Sequence, residues 1–158
     1  MMKMKLPVML LCPFLLGALY NLWTTRPVNI LYAYSDEGIT VTLLVDHMPW
    51  TDRDKIAWYL AHREEFKRKY PAYNNTWQSY YITDIGDGFT NHQKSRHEDL
   101  FCIPTINSEN NCVVKKYYLV VYEYADSSPR FFTDSENEYE VTPDNKIERL
   151  FRPEALNR

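Results

Sequence analysis

The stretch HMPWTDRDKIAWYLAHREEFKRKYP, residues 47–71, decides the fold class, because it is the clearest helix in a chain otherwise patterned for strands. Thr51 is placed to cap it, Asp54 follows three residues later as in a capping box, and Pro71 falls just past its end. Asp52 and Asp54 occupy the first turn and Lys67, Arg68 and Lys69 the last, an order that complements the helix dipole. With the helical period, Ile56, Tyr59, Leu60, Phe66 and Tyr70 share one arc and are the predicted buried stripe. Arg63 lies in the middle of that stripe, so it must meet a carboxylate or reach back to solvent. Trp58 lies off it, which makes it either covered by another part of the domain or an interface anchor. Trp50, just ahead of the cap, poses the same question.

Outward from the helix the pattern changes to period two. Upstream, Val28, Ile30, Tyr32 and Tyr34 alternate, Asp36-Glu37-Gly38 supplies a turn, and Ile39 to Val45 alternates again, as in a β-hairpin. Downstream, Trp77 to Thr83 reads as a strand that ends at Asp84-Ile85-Gly86-Asp87-Gly88. Residues 90–99 read as a polar connection and Leu100 to Ile103 as a short strand. Val113 to Tyr124 carries the strongest strand pattern, and its unbroken run Tyr117 to Tyr122 predicts a central strand buried on both faces. Arg130 to Thr133 and Tyr139 to Thr142 read as a second hairpin, and Ile147, Leu150 and Phe151 as a last helical turn in a charged tail. The expected domain is α+β, a mainly antiparallel sheet with one substantial helix packed on a face.

Ahead of this domain, Leu6 to Trp23 is apolar except for Asn21 near its far end. As a helix it would reach about 27 Å, slightly less than a ~30 Å hydrocarbon core. Lys3 and Lys5 precede it and only Arg26 follows closely, which orients the start to the cytoplasm and exports the rest. Tyr20 and Trp23 would then lie at the outer interface. The expected organisation is a cytoplasmic start and inner-membrane anchor over residues 1–27, crossing through 6–23, and a single periplasmic domain over 28–158. A cleaved signal ending near Leu16-Gly17-Ala18, a lipoprotein acylated at Cys12, and a buried core helix are the alternatives.

The cysteines agree with an exported domain. Cys102 and Cys112 are the two outside the apolar segment, and they bracket the polar loop IPTINSENN. In an oxidising compartment the pair is expected as a disulfide, which across so short a loop contributes about 2.5–3 kcal/mol; two unrelated thiols are the plain alternative. Neither C-x2-C spacing nor clustered histidines accompany them, so no metal is expected.

Composition narrows the function classes. The chain has 158 residues, 45% hydrophobic and 15% aromatic, which is material for one well-filled core. Without Lys3 and Lys5 there are 16 basic against 21 acidic side chains, a formal −5. Such a domain has no cation excess with which to displace counterions, so nucleic acid is not an expected partner. No G-x-S-x-G, P-loop, G-x-G-x-x-G or H-E-x-x-H is present, and no catalytic or cofactor-binding residue is assigned. Asp84, Asp87, His92, His97, Glu98 and Asp99 crowd one region that could hold a metal or an acid–base pair, and a solvated polar loop explains them equally.

Four features laid along the chain carry a resemblance: the apolar start followed by Arg26-Pro27-Val28; Pro49 to Tyr70 with Lys55-Ile56, Trp58-Tyr59 and Leu60; Asp84-Ile85-Gly86-Asp87-Gly88-Phe89; and Leu100-Phe101-Cys102 with Asn111-Cys112-Val113. Together they resemble DUF943, a family of enterobacterial membrane proteins of unknown function. The resemblance implies a single-pass envelope protein with a cysteine pair, and no reaction. Three functions follow as expectations. The first is a protein-binding module, in its narrower form an immunity-type factor that neutralises an incoming toxin, with Trp50, Trp58 and Trp77 as candidate interface residues. The second is an envelope-assembly accessory that binds a glycan or lipid intermediate through the same tryptophans. The third is a hydrolase that uses the Asp84 to Asp99 region.

Overall fold

In the computed structural model, residues 6–73 and 77–151 are described, the side chains of residues 6–10 excepted. Lys3 and Lys5, on which the expected orientation turns, lie outside the described residues. The first element is α1, Leu6–Thr25, continuous through Pro13. Among the described residues no helix is long and apolar enough to cross a membrane. The part of α1 with described side chains, 11–25, is about 22 Å of helix, less than a ~30 Å hydrocarbon core. Phe14, Leu16, Leu19 and Leu22 on it are exposed.

The far end of α1 is docked on the domain. Trp23 stacks on Trp50 at 5.8 Å and donates its indole N–H to the Met48 carbonyl at 3.2 Å. The Tyr20 hydroxyl bonds the Asp54 carboxylate. Asp46 accepts from the backbone and side chain of Asn29 and from His47 at 2.6–3.0 Å. Burial pushes the Asp46 carboxyl up, but the two Asn29 bonds and His47 outweigh it and hold the pKa at about 2.

The main sheet has seven strands in the order β1 (Ile30–Asp36), β2 (Thr40–Val45), β3 (Trp77–Asp84), β6 (Tyr117–Tyr124), β7 (Arg130–Thr133), β8 (Glu138–Val141) and β9 (Ile147–Leu150). Helix α2, Asp52–Lys69, connects β2 to β3, and a crossover of that length lets those two strands run parallel; every other pair is antiparallel. The β1–β2 turn places Glu37 and Gly38 at φ 49° and 72°, the left-handed pair of a type I′ hairpin. A Cβ on Gly38 would come 2.6 Å from the Pro71 carbonyl oxygen, so this turn is closed to a side chain.

Three expectations are corrected here. Val113 to Tyr124 is not one strand: β5, Cys112–Val114, pairs with β4, Leu100–Cys102, in a separate ribbon, and β6 starts at Tyr117. β6 is central in the sheet but is not buried on both faces. Leu119, Val121 and Glu123 are buried, while Val120 and Tyr122 between them are half-exposed. The segment from Ile147 is strand β9 and not a helical turn: the turn at Thr142 to Lys146, with Asn145 at φ 61°, returns the chain alongside β8.

One face of the sheet is covered by α2. Val41, Leu43, Tyr80, Ile82, Leu119, Val121 and Phe131 pack with Ile56, Tyr59 and Phe66 of the helix. Thr51 caps α2 through the Asp54 N–H. Asp52 then ties the first turn to β7 and β8, accepting from Thr133, Ser135, Asn137 and Tyr139 at 2.9–3.1 Å. Burial would raise the Asp52 carboxyl, and these donors reverse that and lower it. Lys55, buried beside it, pairs with Asp134. Arg63 resolves as a carboxylate partner: its Nε and Nη2 each donate to Glu123 at 2.7 Å, forming a two-point fork.

Candidate functional site

The other face of the sheet is only partly covered. The β4–β5 ribbon packs Ile103 and Val113 on Leu44, with Tyr32, Tyr34 and Phe101 around them, and so closes the β1–β2 end. No described helix or strand lies over the remainder. Successive side chains on a strand point to opposite faces, so the register fixes what this open face displays. One row across the sheet is Tyr34, Thr42, Tyr81, Val120, Phe132, Glu138 and Leu150. The next is Thr40, Ser79, Tyr122, Arg130, Glu140 and Glu148.

The centre of the face is aromatic and half-exposed at Tyr81, Tyr117, Tyr122 and Phe132. Tyr81 and Tyr117 have ring centroids 5.0 Å apart, and Tyr122 meets Phe132 edge-on at 5.4 Å. A hydrogen bond with Tyr81, followed by burial, raises the Tyr122 phenol above its usual range. The centre of the face is therefore aromatic, with rings that hold one another in place. Toward β8 and β9 it becomes acidic. Arg130 pairs with Glu138 at 3.0 Å and lies opposite Glu140 in the register, while Glu140 and Glu148 stand directly opposite each other. Like charges in that arrangement oppose pairing and favour a cation brought from outside.

The expected site residues fall in different places. Cys102 and Cys112 are joined in a disulfide that locks the β4–β5 ribbon. Trp50, 55% exposed, sits against Trp23 and Tyr20 at the α1 junction. Trp58 is half-buried and packs on Phe66 and His62 along α2. Trp77 is exposed at the start of β3, opposite Tyr124. The three tryptophans do not converge on one surface. The residues that do converge are tyrosines and Phe132. Their signal in the sequence is the tyrosine-rich run of β6, with Tyr117, Tyr118, Tyr122 and Tyr124, since tyrosine suits a half-wet face better than a dry one.

The Asp84 to Asp99 region is held by structural contacts. Asp84 accepts from the Gly86 N–H at 3.0 Å and from the Tyr118 hydroxyl at 3.1 Å, and Asp99 pairs with Lys115 at 2.8 Å. His92 approaches Cys102 Sγ at 3.5 Å, and its ring nitrogen and the two sulfurs lie within 4.8 Å of one another. That is a three-ligand set for a soft metal, but with both sulfurs in the disulfide it offers no thiolate.

The family described as "Enterobacterial putative membrane protein (DUF943)" matches residues 3–151, nearly the whole chain. No curated protein and no solved structure matches it.

Proposed function

We infer, from the premise that this chain belongs to the DUF943 family, that it is a tethered protein-binding module whose docking surface is the open sheet face. The observation that carries this is the row Tyr81, Val120, Phe132 with its neighbour Tyr122, half-buried at the centre of a sheet whose other face is covered there by α2. Tyrosine and phenylalanine in a pre-packed cluster are the residues that contribute most to protein interfaces, because they bury large area with little rotamer entropy to lose. The acidic β8–β9 end and the net charge of −6 over residues 28–158 (15 basic, 21 acidic) favour a partner that brings cations. The immunity-type form, in which that partner is an incoming toxin, is the narrower version of the same proposal, and a binding rather than catalytic role is part of it.

The tether belongs to the proposal as well. Exposed Leu11, Phe14, Leu15, Leu16, Leu19 and Leu22 on α1 suit a lipid-facing helix, and the Tyr20, Trp23 and Trp50 cluster at its end supplies amphipathic rings at the level of a membrane interface. The proposed topology is a single pass through the inner membrane, with the N-terminus cytoplasmic and the disulfide-bonded domain periplasmic. Fractionation with protease access in spheroplasts and thiol alkylation tests it: an external, alkylation-resistant domain is expected, and a cytoplasmic domain with free thiols rejects it.

The binding function is tested by co-purification from envelope extracts. Wild-type protein is expected to recover a stoichiometric protein, and the paired substitutions Tyr122→Ser and Phe132→Ser are expected to lose it while the domain stays folded. Equal recovery by the variant, or no partner under any condition, rejects the open face as a docking surface.

A further inference from the structure

The β4–β5 ribbon and the segment beside it bring together three side chains able to ligate a metal, His92, Cys102 and Cys112, with their donor atoms all within 4.8 Å of one another. We propose that the chain binds zinc through these three residues once its disulfide is reduced, and that the disulfide is the form in which the site is closed. This goes beyond the protein-docking reading and does not rest on it.

The backbone places the three ligands without help from the disulfide. Cys102 and Cys112 are register partners in the ribbon, with Cα atoms 3.9 Å apart. The Cys112 N–H and carbonyl turn away from β4 and bond Thr90 at 3.0 and 2.7 Å. The cysteines are therefore a non-hydrogen-bonded pair, the kind that brings opposite side chains closest. Apolar packing holds the ribbon as well, because Ile103 and Val113 are fully buried against Leu44. Reduction thus leaves two thiols side by side. His92 arrives on a third segment, which Thr90 ties to Cys112 through those two backbone bonds. Asn91 stiffens it: its Oδ1 accepts from the Gln93 and Lys94 N–H groups at 3.0 Å, and its Nδ2 donates to Asn110 at 2.9 Å. The result is His92 Nε2 at 3.5 Å from Cys102 Sγ.

Tetrahedral zinc, with its usual bond lengths to sulfur and imidazole, holds its donors about 3.5–3.8 Å apart. The His92–Cys102 separation already has that value, so the main movement required is the parting of the two sulfurs. Two thiolates and a neutral imidazole cancel the charge of the cation, which suits a place where Cys112 is 1% exposed. His92 is exposed and Cys102 half-buried, so entry is from their side, where the fourth position falls to water. The reductant is a dithiol. Its thiolate attacks Cys102 Sγ, on the more exposed cysteine, and expels Cys112 as a thiolate; its second sulfur then closes on the first and expels Cys102. Two electrons and two protons pass to the cysteines, the reductant leaves as a disulfide, and zinc displaces the two protons.

The test uses the full chain in detergent with Cys12→Ser, which removes the free cysteine. It is titrated oxidised, and again after anaerobic reduction with a phosphine, first with cobalt(II) and then with zinc against a chromophoric chelator. The reduced chain is expected to take up a single cobalt ion with the visible bands of tetrahedral thiolate coordination, and the oxidised chain none. His92→Ala, which keeps the disulfide and the core, is expected to weaken zinc about tenfold or more, since loss of even an outer partner of a metal ligand costs roughly that. Zinc is also expected to slow amide exchange at Ile103 and Val113 in the reduced chain. Equal uptake by the oxidised chain overturns control by the disulfide, and unweakened binding by His92→Ala overturns the three-ligand site. No uptake by the reduced chain overturns the proposal outright. Uptake that leaves exchange at Ile103 and Val113 unchanged does the same, because the metal then sits on thiols outside the folded ribbon.

Discussion

Phe131 and Phe132 are neighbours on β7 and point to opposite faces of the same sheet. Phe131 is fully buried under α2, in edge contact with Tyr59; Phe132 is half-exposed beside Tyr122. One strand carries both with the same side chain, so composition does not separate a core face from a binding face here. What separates them is the cover. The crossover between β2 and β3 deposits its helix on one side only, and the β4–β5 ribbon reaches just the β1–β2 end of the other. The same contrast holds for charge. Glu123, on the covered face, is fully paired by Arg63, Lys67 and Tyr59, whereas Glu140, on the open face, stands across from Glu148.

The largest effect that can break this comparison is Phe131→Ala against Phe132→Ala. The first is expected to cost about 3–5 kcal/mol and the second about 1 kcal/mol or less, because only the first leaves a closed cavity. Urea unfolding of the two variants measures it, and similar losses would mean that the open face is as well covered as the other. Glu123→Ala is expected to cost about 3–5 kcal/mol by stranding Arg63, Lys67 and a buried tyrosine hydroxyl. Glu140→Ala is expected to be neutral or to gain about 0.5 kcal/mol by relieving a like-charge pair.

Acid should act through the covered face and the α1 junction. The folded-state pKa values of Glu123 and Asp52 are lowered and that of Asp46 falls from 3.8 to about 2, each against a burial cost. Stability from these groups is therefore present above the unfolded carboxylate range and is lost as pH falls from about 4 toward 2. Asp52→Ala, expected to cost about 3 kcal/mol through its stranded donors, should flatten that acid limb, and an unchanged limb would remove Asp52 from it. Replacing Cys102 and Cys112 by alanine is expected to lower stability by about 2.5–3 kcal/mol. The loss should be confined to the ribbon end, so amide exchange should quicken at Ile103 and Val113 before it does at Phe131.

Much of the covered half was legible in the sequence. The α2 stripe, its Thr51 cap, the Arg63 anomaly and the β1–β2 hairpin all follow from local rules, since each is written within one helical turn or one hairpin. The open face was not legible, for a physical reason. A run such as Tyr117 to Tyr122 is apolar enough for burial on both sides, and whether its second side is covered depends on where the β4–β5 ribbon and the helices settle, which is a long-range outcome. The break at Lys115-Lys116 that moves β5 out of the main sheet is of the same kind. Nor do the ring neighbours of the tryptophans follow from local rules: Trp50 stacks on Trp23, and Trp58 packs on Phe66.

The most direct test of the central claim is photo-crosslinking in intact cells, with a photoreactive residue placed singly at Tyr122 or Phe132 on the open face and at Ala61 or Glu65 on the solvent side of α2. A discrete protein adduct is expected from Tyr122 and Phe132 and none from Ala61 or Glu65. Adducts from α2 alone, or none from the open face while the protein remains folded and membrane-associated, would contradict the account.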